Sequence, residues 1–466
     1  MAKKQSTIAL LSAALLFCAT LPTLARFAAA PQTNPSPGPD FAARNRKLDA
    51  VEARSVRFLT REFAETQRDT DRLTKRQMSP TMDPFYFPPA DLASKKPGTI
   101  LRTRQIVYQS NSDFGRVTVK IAAYQILYRT TSHNTTVPLA TVTTLLVPDG
   151  SKLDRLISYS LFTNAAAPVC RPSYSFRHMN ISAEPVLQDF LRSGYAVTLS
   201  DFQGPDDAFG AGPLNGHAVL DSIRASLAFR GEGFKGLSRG TKTALFGYSS
   251  GAFATAWAAT VHPTYASELN IVGGAIGGTP ANITQVLLDV NGTFFGALSF
   301  VGTRGVSRAY PELAHALSKV ITPAGVEAYR KVDTGCLNDI FPDFVGEGFL
   351  SPKYQSLGGG YLYQPAMQAV IESISIGTNK SLTPSIPLYV YHAVPDSLIK
   401  INMADKMVDL FCKHGTPSLT YVRVTQAGGH FDLYLTGAAS VTKFINDRFE
   451  GKRAQKGCKI TTTPFI

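Results

Sequence analysis

The stretch that most restricts this chain runs Thr243-Ala-Leu-Phe-Gly-Tyr-Ser-Ser-Gly-Ala-Phe-Ala-Thr-Ala-Trp257. Thr243 to Phe246 is a short apolar run, too short for a helix core, whereas Ala252 to Ala259 is rich in small helix formers that can pack closely on a sheet. Between them, Gly247-Tyr248-Ser249-Ser250-Gly251 matches G-x-S-x-G. A serine at so sharp a strand-to-helix corner takes a strained backbone, and the flanking glycines leave room for neighbouring strand and helix. A chain of this length is expected to hold about 0.2 chance matches. The second match, Gly236-Leu237-Ser238-Arg239-Gly240, follows a helix-like segment and leads into a strand, so its order is reversed and it reads as a glycine-rich loop.

A corner of this kind belongs in a sheet covered on both faces, and the rest of the chain agrees. Leu156 to Phe162, Ala196 to Ser200, Thr243 to Phe246, Ile271 to Ile276, Leu388 to Tyr391 and Leu419 to Val424 are short apolar runs, as expected of doubly covered strands. Helical patterns at Glu184 to Arg192, His217 to Phe229, Ala252 to Val261, Asn402 to Lys413 and Ala438 to Phe449 lie between most of them or follow the last. Val117 to Arg129 and Val137 to Val147 flank Ser132-His133-Asn134-Thr135 and read as an antiparallel pair. The alternation predicts an α/β fold with a mainly parallel central sheet, its chemistry beyond the carboxyl ends of the strands.

A serine hydroxyl becomes nucleophilic only when a base takes its proton, and the base needs a third group to fix its tautomer. His430, in Ala427-Gly-Gly-His-Phe431, lies in a glycine-rich loop after the last expected strand, where a Ser, acid, His order places the base. His392 falls inside a strand and reads as a packed core residue. Asp396, in Val394-Pro-Asp-Ser397, follows the strand ending near His392, with Asp432 as its rival for the acid. The oxyanion needs two donors. The backbone N–H of Ser250 at the helix N-terminus is one, and the loop Leu199-Ser-Asp-Phe-Gln-Gly204 is suited to supply the other.

Met1 to Ala25 carries Lys3 and Lys4, an apolar run of about 12 residues and a small-residue cleavage site, which reads as a secretory signal peptide rather than an anchor of ~20 residues. Residues 26–76 end in Lys75-Arg76. They are expected to form a pro-region cut after Arg76, with an uncleaved flexible extension as the alternative. Residues 1–76 hold 13 of the 47 basic and 7 of the 34 acidic residues, so the remainder carries +7. A surplus of that size describes a solvated surface, and no Lys/Arg block with interleaved aromatics suggests nucleic acid. Once Cys18 leaves, Cys170, Cys336, Cys412 and Cys458 can form two bridges, for which sequence allows three pairings; their wide spacing argues against metal. No cofactor is implied. Sequons at Asn134, Asn180, Asn282, Asn291 and Asn379 suit a glycosylated export product.

The chain carries Gly-Tyr-Ser-x-Gly, Ser-Asp-x-x-Gly, Pro-Asp and Gly-His, together with Asp83-Pro-Phe-Tyr-Phe-Pro-Pro89 and Pro97-Gly-Thr-Ile-Leu-Arg102. In these motifs residues 77–466 resemble the fungal secretory lipases of the lipase A type. The resemblance implies an α/β-hydrolase fold, a Ser249, Asp396 and His430 triad, Asp201 and Ser250 at the oxyanion hole, and bridges Cys170–Cys336 and Cys412–Cys458. Two positions depart from the family, which usually has Gly where Ser250 stands and commonly a His-Glu pair where Phe202-Gln203 lie.

Between the expected strands ending at Ile276 and starting at Leu388 lie over a hundred residues, far beyond a loop of ~2–6 residues and one helix. An inserted, largely helical cap is expected, giving core 77–280, cap 281–380 and core 381–466. Phe294, Phe295, Leu298, Phe300 and Val301 could line a lid or pack in the cap's own core, and Gly358-Gly359-Gly360 offers a hinge. The expected protein is a secreted, monomeric lipase without a membrane anchor, meeting ester substrate at an oil–water interface. The alternatives are a soluble esterase or acyltransferase, or a non-catalytic lipid-binding relative.

Overall fold

Hydrophobic alternation decides which side of the sheet each strand residue faces. In the strand leading to Ser249, Ala244, Phe246 and Tyr248 enter one core cluster while Leu245 enters the other, the period-two alternation of a pleated strand. The computed structural model describes residues 78–108, 120–177, 185–238 and 240–466. The expected signal peptide 1–25, the expected pro-region 26–76 with its Arg76 site, and the sequon at Asn180 lie outside the described residues.

The strands are β1 Ile100–Ile106, β2 Ile121–Thr131, β3 Pro138–Pro148, β4 Arg155–Ser160, β5 Ala196–Ser200, β6 Lys242–Tyr248, β7 Ile271–Gly277, β8 Leu388–Ala393, β9 Ser418–Val424 and β10 Gly457–Thr463. They form one sheet in the order β1-β2-β3-β5-β4-β6-β7-β8-β9-β10. The first three and the β3–β5 pair are antiparallel, and from β5 to β10 every pairing is parallel.

Helices α1 Pro185–Arg192, α2 Gly212–Ala228 and α3 Ser250–Tyr265 follow β4, β5 and β6. Between β7 and β8 come the cap helices α4 Ile283–Val290, α5 Ala297–Ala309, α6 Pro311–Ser318, α7 Pro323–Thr334 and α8 Pro365–Ile374. The chain closes with α9 Ile401–Lys413, α10 His430–Thr436 and α11 Ala438–Phe449. α9 buries Met403, Met407, Val408 and Phe411 on one face of the sheet, and α11 buries Val441, Ile445 and Phe449 on the other. These are the stripes expected of amphipathic helices.

Two edge strands escaped the sequence reading. β1 has the polar run Arg102-Thr-Arg-Gln105 at its centre, and β10 is mostly exposed, so neither shows the apolar density of a covered strand. Leu419–Val424 is therefore not the last strand. His430 is also not in a loop, because the first turn of α10 begins at that residue.

The cap has its own core. Phe300, Val301, Phe344, Phe349 and Tyr354 cluster there, with the Phe300 and Phe344 rings 4.3 Å apart. Phe294 and Phe295 are half-buried against Phe341. Gly358–Tyr363 is a 3-10 helix, so the three glycines do not form an open hinge loop. The cap cluster takes in Ala166, Ala208, Ala211 and Leu214, seating the cap on the loops that follow β4 and β5. Arg308 of α5 donates to Ala166 O and Asp206 O, and Asp333 holds Arg304 and Arg308 at 2.7 Å.

Cys170 is bonded to Cys336 and Cys412 to Cys458. The first ties the segment after β4 to the cap, and the second ties the end of α9 to the start of β10. Asn134 and Asn379 are exposed. Asn282 instead caps α4 by accepting from Gln285 N, and Asn291 accepts from Leu350 N.

The Cys412–Cys458 bond closes a loop with a sequence separation of 46, which in the chain-entropy account stabilises the fold by about 4 kcal/mol. Cys412→Ser with Cys458→Ser should lose stability of that order in denaturant unfolding while turnover per active site stays near wild type. An unchanged midpoint would show that this bond does not restrain the unfolded chain.

Candidate active site

Ser249 follows β6 and precedes α3 with φ 54° and ψ −126°. A non-glycine residue in this region costs of order 1–3 kcal/mol and persists only where its surroundings impose it. A Cβ on Gly247 would lie 2.2 Å from Gly251 O, and one on Gly251 would lie 1.9 Å from Ser160 O at the end of β4. Both glycines are therefore required by close approach of neighbouring backbone. The corner lifts the Ser249 hydroxyl to the carboxyl rim of the sheet.

The same rim receives His430 from the segment after β9 and Asp396 from the turn after β8. His430 Nε2 is 2.9 Å from Ser249 Oγ, and His430 Nδ1 is 2.6 Å from Asp396 Oδ2. The other oxygen of Asp396 accepts from Leu398 N at 3.0 Å and Ile399 N at 2.8 Å. Burial alone pushes the Asp396 carboxyl up, but the facing His430 and the hydrogen bonds from His392 and His430 outweigh it and hold the group well below the usual carboxylate range. An ionised Asp396 requires the proton on His430 Nδ1, so Nε2 is left to accept from the serine. All three residues are buried, which strengthens these charge-assisted bonds.

Asp432 does not compete for His430, since its carboxylate accepts from Gly428 N at 2.7 Å and closes the loop before α10. Tyr248 donates to His430 O at 2.5 Å, fixing the backbone that carries the imidazole. His392 is a buried core residue, yet its Nε2 lies 2.7 Å from Ile399 O and 3.4 Å from Asp396 Oδ2. The sequence pattern alone gave no reason to place it behind the acid.

Ser250 is the first residue of α3, and its backbone N–H is one of the donors that a helix start leaves unpaired. Its side-chain hydroxyl is buried without a hydrogen-bond partner. Asp201 sits just past β5 with its backbone N–H committed to Val142 O at 2.8 Å. Only its side chain can therefore donate into a site. Both carboxyl oxygens meet Ser173, Oδ1 with Ser173 N at 2.8 Å and Oδ2 with Ser173 Oγ at 2.5 Å. Burial pushes the carboxyl up to about 7 against the opposing effect of Ser173 and Arg171.

The profile of the secretory lipase family matches residues 175–457. A secreted triacylglycerol lipase of Malassezia furfur is 35% identical over 387 residues, covering 82% of this chain and 78% of that protein. The chain belongs to the secretory lipase family. Lipase 2 of Candida albicans is 34% identical, covering 82% of this chain and 83% of its own. Among solved structures, Candida antarctica lipase A matches with a TM-score of 0.75 at 26% identity, covering 84% of this chain and 90% of that one. An esterase of Xanthomonas oryzae at 16% identity and TM-score 0.63 shares the fold. The fold is the α/β-hydrolase fold with an inserted helical cap.

Of the positions that depart from the family's usual residues, Phe202 and Gln203 are held by neighbouring elements. Gln203 donates through Nε2 to Thr163 O at 2.7 Å, joining the loops after β5 and β4. Phe202 is buried, and its carbonyl accepts from Asn215 Nδ2 at 3.0 Å.

Gly251→Ala should abolish the correctly formed corner, because its new methyl would require the end of β4 to move. Overpacking of this kind costs about 1–3 kcal/mol. The expected outcome is a lowered unfolding midpoint together with loss of labelling by an active-serine phosphonate. Wild-type labelling and stability would contradict the close approach described above.

Proposed function

We propose that this secretory lipase is exported and hydrolyses the ester bonds of triacylglycerols, acting as a monomer at an oil–water interface without a membrane anchor. The observation that carries the reading is the continuous hydrogen-bonded line from Ser249 through His430 to Asp396 at the carboxyl rim of an α/β-hydrolase sheet. Family membership supports the substrate class, since the relatives from Malassezia furfur and Malassezia globosa are secreted triacylglycerol lipases. Among the described residues no helix is long and apolar enough to cross a membrane.

In the proposed cycle Ser249 Oγ attacks the ester carbonyl carbon as its proton passes to His430 Nε2. The developing imidazolium is held in place and stabilised by ionised Asp396. Negative charge on the former carbonyl oxygen is met by the Ser250 N–H and the Asp201 carboxyl, aimed before the reaction so that little reorganisation is needed. Collapse of the tetrahedral species breaks the C–O bond to the glycerol part, which leaves with the proton from His430. A water molecule then gives its proton to His430, attacks the acyl carbon, and releases the fatty acid and Ser249. Burial of the triad excludes bulk water from these charges.

The pro-region cut after Arg76 and glycans on exposed Asn134 and Asn379 belong to the same proposal of an exported enzyme. Ser249→Ala should fold as wild type by thermal unfolding and lose turnover of emulsified triglyceride and phosphonate labelling together; retained hydrolysis would remove the serine from the mechanism. Asp396→Asn should lower kcat by a factor on the order of 10³–10⁴ through loss of the tautomer control. Comparison of dissolved short-chain esters with emulsified triglyceride separates the lipase from a soluble esterase. Higher turnover on the emulsion is expected, and equal turnover would favour the esterase.

A further inference from the structure

The segment Asp83-Pro-Phe-Tyr86, far from Ser249 along the chain, reaches the proposed oxyanion site through one buried serine. Asp83 accepts from Phe85 N at 3.0 Å, capping the turn that presents Tyr86. Tyr86 Oη is 2.9 Å from Ser173 Oγ. Ser173 is fully buried and contacts Asp201 through both its hydroxyl and its backbone N–H. Its carbonyl accepts from Gln125 Nε2 at 2.5 Å, Gln125 Oε1 accepts from Arg104 Nε at 2.7 Å, and Arg104 pairs with Asp83 at 2.6 Å. A circuit of hydrogen bonds, closed through the backbone from Asp83 to Tyr86, thus passes through Ser173, three residues after the Cys170–Cys336 tie to the cap.

We infer that Tyr86 and Ser173 are positioning residues, a hydrogen-bond relay that orients the Asp201 carboxyl so that its protonated form donates to the oxyanion. The inference rests on the reading of Asp201 as an oxyanion donor. Burial pushes the Tyr86 phenol far up, so it keeps its proton and donates to Ser173 Oγ. The serine hydroxyl then points its own hydrogen at Asp201 Oδ2 while Ser173 N–H occupies Oδ1. Oδ2 can accept that bond and still give its proton outward, a chain in which each donor polarises the next. An ionised Asp201 would accept both bonds but offer only a second negative charge to the oxyanion. Activity that needs the protonated carboxyl therefore falls as pH rises through the titration of Asp201.

Other groups face the same carboxyl. Arg171, held by Asp207 at 2.6 Å, favours ionisation, whereas Asp207 opposes it. Tyr86 and Tyr128 are buried neutral phenols on the N-terminal segment and β2, and each feels the Asp201 charge. Ser173 is the group whose hydrogen bonds most directly stabilise the carboxylate. Removing its hydroxyl should raise the titration point of Asp201 and loosen its aim.

The test measures kcat and KM against pH for wild type, Ser173→Ala, Ser173→Thr, Tyr86→Phe and Asp201→Asn, with active sites counted by phosphonate titration. Ser173→Ala should lower kcat per titrated site about tenfold, the scale of one lost hydrogen bond. Its KM should stay within about twofold, and its alkaline limb should move up by about one pH unit. Tyr86→Phe should move both in the same direction by less, and Ser173→Thr should restore kcat and limb. If Ser173→Ala reduces only the fraction of titratable sites, leaving kcat per site and the limb unchanged, the residue is structural and the relay is wrong. Asp201→Asn should lose the limb altogether. If it keeps wild-type kcat and limb, the oxyanion reading of Asp201 fails first, and the relay falls with it.

Discussion

The contact on which the rest depends is backbone against backbone, where the start of α3 meets the end of β4. A Cβ at Gly251 would sit 1.9 Å from Ser160 O, closer than any side chain permits. That approach forces the turn between β6 and α3 into so little space that Ser249 takes φ 54°. The strain is local, and the parallel pairing of β6 with both β4 and β7 holds it in place. The polypeptide thereby fixes a hydroxyl at the sheet rim before any partner side chain is considered.

The partners arrive by topology. Parallel pairing of β6, β7, β8 and β9 brings every carboxyl end to one side, so the turn after β8 and the segment after β9 open beside Ser249. The Asp396 carboxylate takes two backbone N–H bonds on one oxygen and His430 on the other. This leaves the imidazole a single orientation. Tyr248, the residue before Ser249, grips the carbonyl of His430, so imidazole and serine share one rigid frame. Preorganisation of this kind is what allows an ordinary hydroxyl to react.

The cap is fastened on the side of the β4 and β5 loops by a disulfide, by Arg308 and by a shared apolar cluster. The same loops carry Ser173 and Asp201, so cap attachment and the placement of the buried carboxyl are mechanically joined. The cap residues that read from sequence as either lid or core are unequally buried. Phe300 and Val301 fill the interior, while Phe294 and Phe295 remain half-buried at its edge.

Much of the fold was legible because covered strands and amphipathic helices leave strong periodic signals; β5 and α11 begin and end where the pattern places them. The Gly-Tyr-Ser-Ser-Gly corner was legible because two glycines and a serine at that spacing meet a steric demand. The polar edge strands β1 and β10 were not, since their register comes from the neighbouring ladder rather than from their own residues. Nor was the place of Ser173 and Tyr86 beside Asp201, because a hydrogen bond between residues 28 or 87 positions apart leaves no trace in local pattern. The sequence by itself determined the order of elements, the strained serine and the size of the insertion, all consequences of local sterics and periodic burial. Only the tertiary structure decided which buried polar groups face one another, because that depends on chain crossings and on desolvation in a common interior.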